Sequence, residues 1–240
     1  MRLLYWIVVF GALLLAGASA HLFFGETNMD PEAQARMAFE QRVAQLKPDA
    51  EAGRSGTQYS LAETYRTAPE AVRDPGLARY WYRKAAEQGH IAAQYQLGLL
   101  YAKGDGVPQS YTRAAEWFQL SAGLGRNRDA QFFLGELFFH GRGVGHDYGI
   151  ALEWYRKAAR RGHPVAQHLV GVMYREGWGV ENDDLEAYKW LTLALAHRDA
   201  VMAYDSRLDP KVEREVLRQR LNQSQVALAK KRVENWKVEQ

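Results

Sequence analysis

A ten-residue phrase occurs almost twice in this chain, and this repetition constrains the fold more than any other feature. Residues 81–90 read WYRKAAEQGH and residues 154–163 read WYRKAARRGH, so that eight of ten positions are identical. The copies lie 73 residues apart, and a looser copy begins midway, at Trp117. A period of 36–37 residues is typical of solenoids built from stacked helix pairs. The phrase therefore predicts an architecture and, by itself, no chemistry.

Several other columns repeat in phase with this phrase, at steps of 36, 37 and 36 residues. A Leu-Gly pair or a close equivalent begins at Leu61, Leu97, Leu134 and Val170. An aromatic residue recurs at Tyr65, Tyr101, Phe138 and Tyr174, and a tryptophan at Trp81, Trp117, Trp154 and Trp190. A Gly-x-Gly-Val turn begins at Gly104, Gly141 and Gly177. Agreement in so many columns predicts four repeat units.

Each unit is predicted to form two helices joined by a turn. In the second unit Ala93, Leu97 and Tyr101 fall on one helical face. Gly98 has no side chain, so a neighbouring helix can approach its backbone closely. Gly104 can end the first helix because glycine accepts the left-handed conformation of a helix C-terminus. One unit cannot bury both of its apolar faces, so the units must stack.

The first and fourth units depart from the pattern. Ala68 and Glu70 stand where other units have the two turn glycines, but the spacing is unchanged, so a turn still fits. Arg198 stands where the closing glycine of the fourth unit is expected, which predicts a different end for that unit.

The C-terminal region, residues 200–240, is predicted to cap the last unit and shield it from water. Two helices are expected there, over 211–221 and 223–237. The second has an apolar stripe, formed by Val226, Ala229, Val233 and Trp236.

Residues 1–25 are strongly apolar and have two interpretations. They are either a cleaved signal peptide, with a cleavage pattern at Ala18-Ser19-Ala20, or an uncleaved transmembrane anchor. The apolar stretch 3–24 would span roughly 33 Å as a helix, enough to cross a bilayer core. Both interpretations predict a cell-envelope location. The solenoid would be periplasmic, anchored in the inner membrane or secreted to the periplasm after cleavage behind Ala20.

Residues 26–52 are predicted to form a juxtamembrane spacer helix and a linker, followed by the repeat solenoid over 53–199. Asp30 and Pro31 suit the start of a helix over 31–46, and Lys47-Pro48-Asp49 is expected to end it. The next four residues, 50–53, look like the tail of a decayed preceding unit.

At these repeated residues the chain resembles the Sel-1-like repeat family, relatives of the tetratricopeptide repeats. The shared pattern contains the Leu-Gly pair, a tyrosine, the Gly-x-Gly-Val turn, Ala-x-x-Trp-Tyr-x-x-Ala-Ala and a closing glycine, over roughly 58–199. The resemblance implies an all-α, right-handed α-solenoid of about four stacked helix-turn-helix repeats with a C-terminal capping helix. It also implies a scaffold or adaptor for other proteins, and for exported bacterial members a place in envelope assemblies. The family's repeated residues are structural, so it supplies no catalytic positions.

The sequence shows no convergent motif for catalysis, a metal or a cofactor. The glycines from Gly141 to Gly145 lack the spacing of a phosphate loop, and they recur as a helix stop. His163 and His168 are five residues apart, which is not a zinc-ligand spacing. The acidic pair at Asp183 is better explained as a helix start. We therefore predict no enzyme, no cofactor, no metal and no small-molecule substrate.

Composition excludes further classes of function. There is no cysteine, so disulfides and thiolate sites are absent. The net charge of +3 is mild, and the basic run 230–232 is diluted by Glu234 and Glu239. Nucleic acid is therefore not an expected partner, and a solvated helix face is the better interpretation of that run.

The predicted partner-binding surface lies on the first helices of the units, at positions turned away from the packing residues. Its nine residues are Gln96, Leu99, Lys103, Phe133, Glu136, His140, Leu169, Val172 and Glu176. First helices of such repeats line the concave surface of the solenoid, and clustered exposed apolar residues mark binding surfaces. A partner helix or an extended peptide is expected to bind there. The alternative is that these residues only join adjacent first helices.

Together these observations predict a non-enzymatic protein–protein interaction scaffold or adaptor at the bacterial cell envelope. Its protein partner binds the concave face, and its membrane contact, if any, is made by the N-terminal segment. The alternative function is an accessory or inhibitory module of an envelope enzyme, or of a secretion or polysaccharide-export assembly. Co-purification of one tightly bound partner would favour that alternative over the scaffold.

Overall fold

A computed structural model describes residues 30–123 and 127–239, and within these ranges the chain is helical and contains no strand. The described residues form twelve α-helices, and one short 3-10 helix, Glu70–Val72, lies between the second and the third. The α-helices are α1 Pro31–Glu51, α2 Ser55–Arg66, α3 Pro75–Glu87, α4 Ile91–Lys103, α5 Tyr111–Ala122, α6 Arg128–His140, α7 Tyr148–Arg160, α8 Pro164–Glu176, α9 Asp184–Leu195, α10 Arg198–Tyr204, α11 Pro210–Arg220 and α12 Gln223–Glu234.

The helices pair and stack as the repeat predicts. Units 1 to 4 are the pairs α2–α3, α4–α5, α6–α7 and α8–α9, and each second helix also packs on the first helix of the next unit. The small residues of the second helices, such as Ala85 and Ala158, are completely buried. The predicted α-solenoid of four stacked repeats is confirmed.

A glutamine near the start of each first helix ties it to the helix before it. Each amide donates a hydrogen bond of 2.9–3.2 Å to an alanine carbonyl, in the pairs Gln58 with Ala50, Gln94 with Ala86, Gln131 with Ala122 and Gln167 with Ala159. Ala50 belongs to α1, so α1 occupies the place of a second helix before unit 1. This agrees with the interpretation of 50–53 as the tail of a decayed unit.

The prediction that Lys47-Pro48-Asp49 ends the first helix is wrong, because α1 continues through Pro48 to Glu51. A proline inside a helix removes a backbone hydrogen bond and costs about 3 kcal/mol. Here Ala50 is completely buried and Gln58 binds its carbonyl, so packing on α2 outweighs that cost. The predicted domain boundary between 52 and 53 stays a prediction.

The glycine turns end the first helices and pack against the preceding unit. The first glycines, Gly104, Gly141 and Gly177, each end a first helix in the left-handed conformation, which confirms the helix-stop interpretation. The second glycine of unit 3, Gly143, has a φ of +70°, and a β-carbon there would lie 2.4 Å from the backbone nitrogen of Thr112 in unit 2. In unit 1 the 3-10 helix replaces the glycine turn, as the unchanged spacing allowed.

The glycine of the Leu-Gly pair lets the two helices of a unit approach closely. A β-carbon at Gly98 would lie 2.4 Å from the ring of Phe118, and one at Gly135 would lie 2.5 Å from the ring of Tyr155. Real β-carbons do not approach so closely, so the expectation for Gly98 is confirmed.

Polar side chains cap most of the repeat helices at their starts. The residues that accept a backbone hydrogen bond in this way are Asp74, Ser110, Asp147 and Asp183 before second helices, and His90, Asn127 and His163 before first helices. Each cap stabilises its helix by about 1 kcal/mol. Asp183 therefore has the structural role that was expected of it.

The C-terminal helices α11 and α12 both pack on α9, as a cap on the last unit requires. Ala229 is completely buried, and Trp236 packs edge-on against Trp190 with ring centroids 6.5 Å apart. On α12, Arg232 pairs with Glu186 at 2.7 Å.

The predicted signal peptide or anchor lies outside the described residues. Within 30–123 and 127–239, no helix combines the length and the apolar character that crossing a bilayer requires.

Candidate partner-binding surface

Units 1 and 3 each bury a hydrogen-bonded Glu–Tyr pair between their two helices. In unit 3 the Tyr155 hydroxyl donates to Oε1 of Glu136 at 2.5 Å, and in unit 1 Tyr82 donates to Glu63 in the same way. The corresponding pairs are Leu99 with Phe118 in unit 2, and Val172 with Leu191 in unit 4. The 73-residue repeat is therefore an alternation of units with polar and apolar interior pairs.

Arg66 completes the pair in unit 1. Its guanidinium lies 2.5 Å from Oε2 of Glu63, and its Nε donates to the Tyr82 hydroxyl at 3.0 Å. Burial disfavours the charge on Glu63, but the hydrogen bonds from Arg66 and Tyr82 outweigh burial and lower the pKa of the carboxyl. Burial and then Glu63 raise the pKa of the Tyr82 phenol well above its usual value. Glu63 therefore stays a carboxylate and Tyr82 stays a phenol, which suits a packing role better than proton transfer.

In unit 3 the chain's own C-terminal region completes the pair. The Tyr204 hydroxyl donates to Oε2 of Glu136 at 3.0 Å, and its ring lies edge-on to Phe132 with centroids 5.5 Å apart. Tyr204 ends α10, which packs on α8. α10 therefore lies on the face formed by the first helices α2, α4, α6 and α8, called here the first-helix face.

Two contacts fix α10 in this position. Val201 is completely buried, and Arg198 makes a bidentate ion pair with Asp209, at 2.9 and 2.7 Å. Arg198 lowers the pKa of the Asp209 carboxyl to about 2. The sequence analysis missed this helix, and the only signal for it was Arg198 in place of the closing glycine.

The structure places all nine predicted partner-binding residues on first helices. Three of them, Lys103, His140 and Glu176, are exposed and are the last residues of α4, α6 and α8. The six half-buried ones are Gln96, Leu99, Phe133, Glu136, Leu169 and Val172. That these residues bind a partner stays a prediction.

Two of the half-buried residues are already engaged within the chain. Phe133 stacks on Phe118 with centroids 5.4 Å apart and lies 6.1 Å from Tyr95, so it packs on the preceding unit. Its contact with Tyr95 joins adjacent first helices, as in the alternative interpretation, but its closer contact is with Phe118 on a second helix. Glu136 binds both Tyr155 and Tyr204. The part of the predicted surface on unit 3 is thus largely covered.

The two histidines of the repeated phrase, His90 and His163, cap helices. Nδ1 of His90 accepts from the Ala93 amide at 3.2 Å, and Nδ1 of His163 accepts from the Ala166 amide at 3.1 Å. Burial lowers the pKa of His163 to about 4, so it is neutral near pH 7. In the described residues no three His, Asp or Glu side chains converge in a way that could hold a metal ion.

Comparison with known proteins identifies relatives of this chain. A family model for the Sel1 repeat matches residues 57–90, 91–125, 128–163 and 164–199. No curated protein matches the sequence. The crystal structure of a Sel1 repeat protein from Oxalobacter formigenes is similar, with a TM-score of 0.60 and 29% sequence identity, over 70% of each chain.

A second similar structure is that of a protective antigen present in uropathogenic Escherichia coli strains, which displays an SLR fold. It has a TM-score of 0.49 and 28% sequence identity, and the match covers 81% of this chain. It covers 48% of the antigen, so this chain spans about half the length of that protein.

Proposed function

The chain belongs to the Sel1 repeat family, whose repeats are generally protein–protein interaction modules of a non-catalytic scaffold type, and we propose that it is a scaffold or adaptor whose protein partner binds the first-helix face. One observation supports this choice of face best. Lys103, His140 and Glu176 form an exposed row at the ends of successive first helices, beside the half-buried apolar side chains of Leu99 and Val172.

The row combines the two features that a binding surface needs. Its charge changes from Lys103 in unit 2 to Glu176 in unit 4, so a partner with the opposite gradient binds in one orientation. Leu99 and Val172 offer partly accessible apolar surface next to those charges. A helix or an extended peptide is the partner segment that such a row fits.

The proposed location is the cell envelope, with the solenoid in the periplasm. The apolar segment 1–25, either a signal peptide or an anchor, supports this part of the proposal. Sequencing the N-terminus of the mature protein tests it. A chain that begins at His21 indicates cleavage, and an intact N-terminus in the membrane fraction indicates an anchor.

Photocrosslinking in the native host tests the binding face. A photoreactive amino acid is introduced singly at Lys103, His140 or Glu176, and at Arg83 and Glu153 as exposed controls on second helices. We expect a crosslinked partner from the first group and none from the controls. The charge exchange Lys103→Glu with Glu176→Lys should weaken partner capture by about tenfold or more, since it reverses the gradient.

The outcomes separate the alternatives. Crosslinks from Arg83 and Glu153 alone would reject the first-helix face. A single partner enzyme, captured in equal amounts and less active when bound, would favour the inhibitory module over the scaffold.

A further inference from the structure

α10 shows how a short helix docks on the first-helix face of this chain. It has seven residues, packs on α8, and ends at Tyr204, which contacts Phe132 and Glu136 of the neighbouring first helix. Tyr204 stays 48% exposed, so the contact uses one edge-on ring and one hydrogen bond. A helix of two turns therefore docks here through one aromatic anchor, Tyr204, together with the buried Val201 and the Arg198–Asp209 ion pair.

The surface under α10 has a counterpart two units earlier in the chain. The equivalent residues, 73 positions apart, are Phe132 and Tyr59, Glu136 and Glu63, Tyr155 and Tyr82, and His163 and His90. We call Tyr59, Glu63 and His90 the counterpart surface; Tyr82, which donates a hydrogen bond to Glu63, is completely buried. The stacking contact is shared, since Tyr59 stacks on His90 at 4.6 Å as Phe132 stacks on His163 at 4.3 Å, whereas the Tyr59 hydroxyl also interacts with Glu63 and Phe132 has no hydroxyl. A docking helix would thus meet a preorganised surface, which lowers the cost of binding.

No helix within the described ranges lies across the counterpart surface as α10 lies across units 3 and 4. The helices that pack most on α2 and α4 are their neighbours in the stack, α1, α3 and α5. The Glu63 side chain is 25% exposed, against 18% for Glu136 beneath Tyr204. Tyr59 is half-buried whereas Phe132 is buried, so both positions are more accessible in the counterpart surface.

The two surfaces differ in charge at two points. Where Tyr204 binds Glu136, Arg66 binds Glu63, and the Arg66 side chain remains 41% exposed. Lys103, at the end of the next first helix, is exposed as well. An incoming helix therefore meets two cationic groups, and a carboxylate on that helix would pair with the guanidinium. In α10 itself, Tyr204 is followed directly by Asp205, whose carboxylate pairs with Arg207, a residue that a peptide ending at 206 lacks.

We propose that the counterpart surface binds a short helix of the protein partner that carries an aromatic side chain followed by an acidic residue. The aromatic ring packs on Tyr59, and the carboxylate pairs with Arg66. This inference rests on the proposed function, because it names the chemistry of the partner segment. It assigns that segment to units 1 and 2, since α10 already covers units 3 and 4.

Disulfide trapping tests the proposal, because the natural chain has no cysteine. Thr67 and His140 are equivalent exposed positions just after α2 and at the end of α6, and His140 lies 3.7 Å from Glu136. Thr67→Cys and His140→Cys are made separately in the full chain. The probe is a peptide with the sequence of residues 199–206, blocked at both ends, in which Ser206→Cys carries an activated disulfide. For each variant, the rate of trapping by the peptide is divided by the rate of reaction with a small disulfide reagent, which corrects for differences in thiol reactivity.

We expect the peptide to be trapped about tenfold faster at Thr67→Cys than at His140→Cys, because a bound peptide has a high effective concentration at the first position only. Adding Arg66→Gln should slow trapping about fivefold by removing the ion pair, whereas Arg66→Lys should largely preserve it. Arg73→Gln, which removes an exposed arginine from the turn of the same unit, is the matched control and should change nothing.

Equal rates at the two cysteines would overturn the proposal, as would undiminished trapping of a peptide with Tyr204→Ala. Circular dichroism of each variant establishes that it is folded before rates are compared. If the peptide fails while photocrosslinking at Lys103 succeeds, this inference is rejected and the proposed function stands. If photocrosslinking from the first-helix row fails, the proposed function is rejected whatever the peptide does.

Discussion

Units 1 and 2 together repeat the sequence of units 3 and 4, so the chain contains an N-terminal copy and a C-terminal copy of one two-unit sequence. The two copies have different neighbours. The N-terminal copy packs on α1, and its first-helix face has no helix across it in the described residues. The C-terminal copy has α10 on its first-helix face and α11 and α12 on its last helix. The repeats therefore determine the fold, and the non-repeated helices determine which faces remain accessible to a partner.

The buried Glu–Tyr pairs show the same contrast at the level of single bonds. Glu63 is completed by Arg66, three residues away on the same helix. Glu136 is completed by Tyr204, which lies 68 residues away. The N-terminal copy is therefore self-sufficient, whereas the C-terminal copy depends on a helix outside the repeats.

The largest difference in stability between matched substitutions in the two copies is expected at the turns. Gly143→Ala would place a β-carbon 2.4 Å from the Thr112 backbone at a φ of +70°, so we expect it to lower the free energy of unfolding by about 3 kcal/mol. Glu70, the equivalent residue of unit 1, is exposed, and Glu70→Ala should change that free energy by less than about 0.5 kcal/mol. Urea denaturation followed by tryptophan fluorescence measures both, and equal losses would show that the two turns are not different.

The next difference in stability is expected at acidic pH, which should destabilise the C-terminal copy more than the N-terminal copy. Burial lowers the pKa of His163 and of His168 to about 4, and for His163 it outweighs the opposite effect of Asp129, 3.8 Å away. An unfolded histidine has a pKa of about 6.5, so the unfolded chain binds protons first as the pH falls. The stabilisation is present above pH ~6.5 and is lost between about 6.5 and 4, by roughly 3 kcal/mol for each histidine.

Three substitutions assign this pH dependence. His163→Asn keeps a capping residue, as at Asn127, and His168→Phe matches Phe132 at the equivalent position. Both should flatten the fall of stability in thermal unfolding between about pH 6.5 and 4. His90→Asn is the matched change in the N-terminal copy, and its effect should be smaller. An equal effect of His90→Asn would remove the distinction between the copies.

The buried Glu–Tyr pairs should give a smaller difference in stability between the two copies. Tyr155→Phe leaves Oε1 of Glu136 without its donor in a buried site, and we expect a loss of about 2 kcal/mol. Tyr82→Phe leaves Glu63 bound to Arg66, so its loss should be about 1 kcal/mol. Denaturant titrations of the two variants provide the comparison. A larger loss for Tyr82→Phe would contradict the view that Arg66 makes unit 1 self-sufficient.

Most of the solenoid could be predicted from the sequence because its determinants are local and repeated. Gly98 and Asp183 each act within one unit, and three or four copies in phase reveal which residue types a position accepts. The helix caps and the glycine turns follow from the same comparison. Because such residues recur every 36 or 37 positions, one sequence gives several examples of each structural role.

The non-repeated parts could not be predicted in this way. α1 passes through Pro48 because Ala50 is buried against α2, and that contact is invisible in the local sequence. The bond between Tyr204 and Glu136 joins residues 68 positions apart and has no second copy to compare. Helical spacing put Phe133 on the predicted partner surface, but stacking of the units turned it toward Phe118. These positions depend on tertiary packing, which overrides local preference.

Removing the Tyr204 anchor of α10 should have the smallest effect on stability and the most local one, because Val201 and the Arg198–Asp209 ion pair still hold the helix. Tyr204→Ala removes a ring that is 48% exposed and its hydrogen bond to Glu136, so we expect a loss of about 1 kcal/mol. Hydrogen exchange should accelerate in α10 and in the part of α6 around Glu136, and stay unchanged in α2 and α4. Tyr204→Phe, which keeps the ring, should give about half the loss. Faster exchange in α2 as well would mean that α10 stabilises the whole solenoid, rather than covering one of two equivalent surfaces.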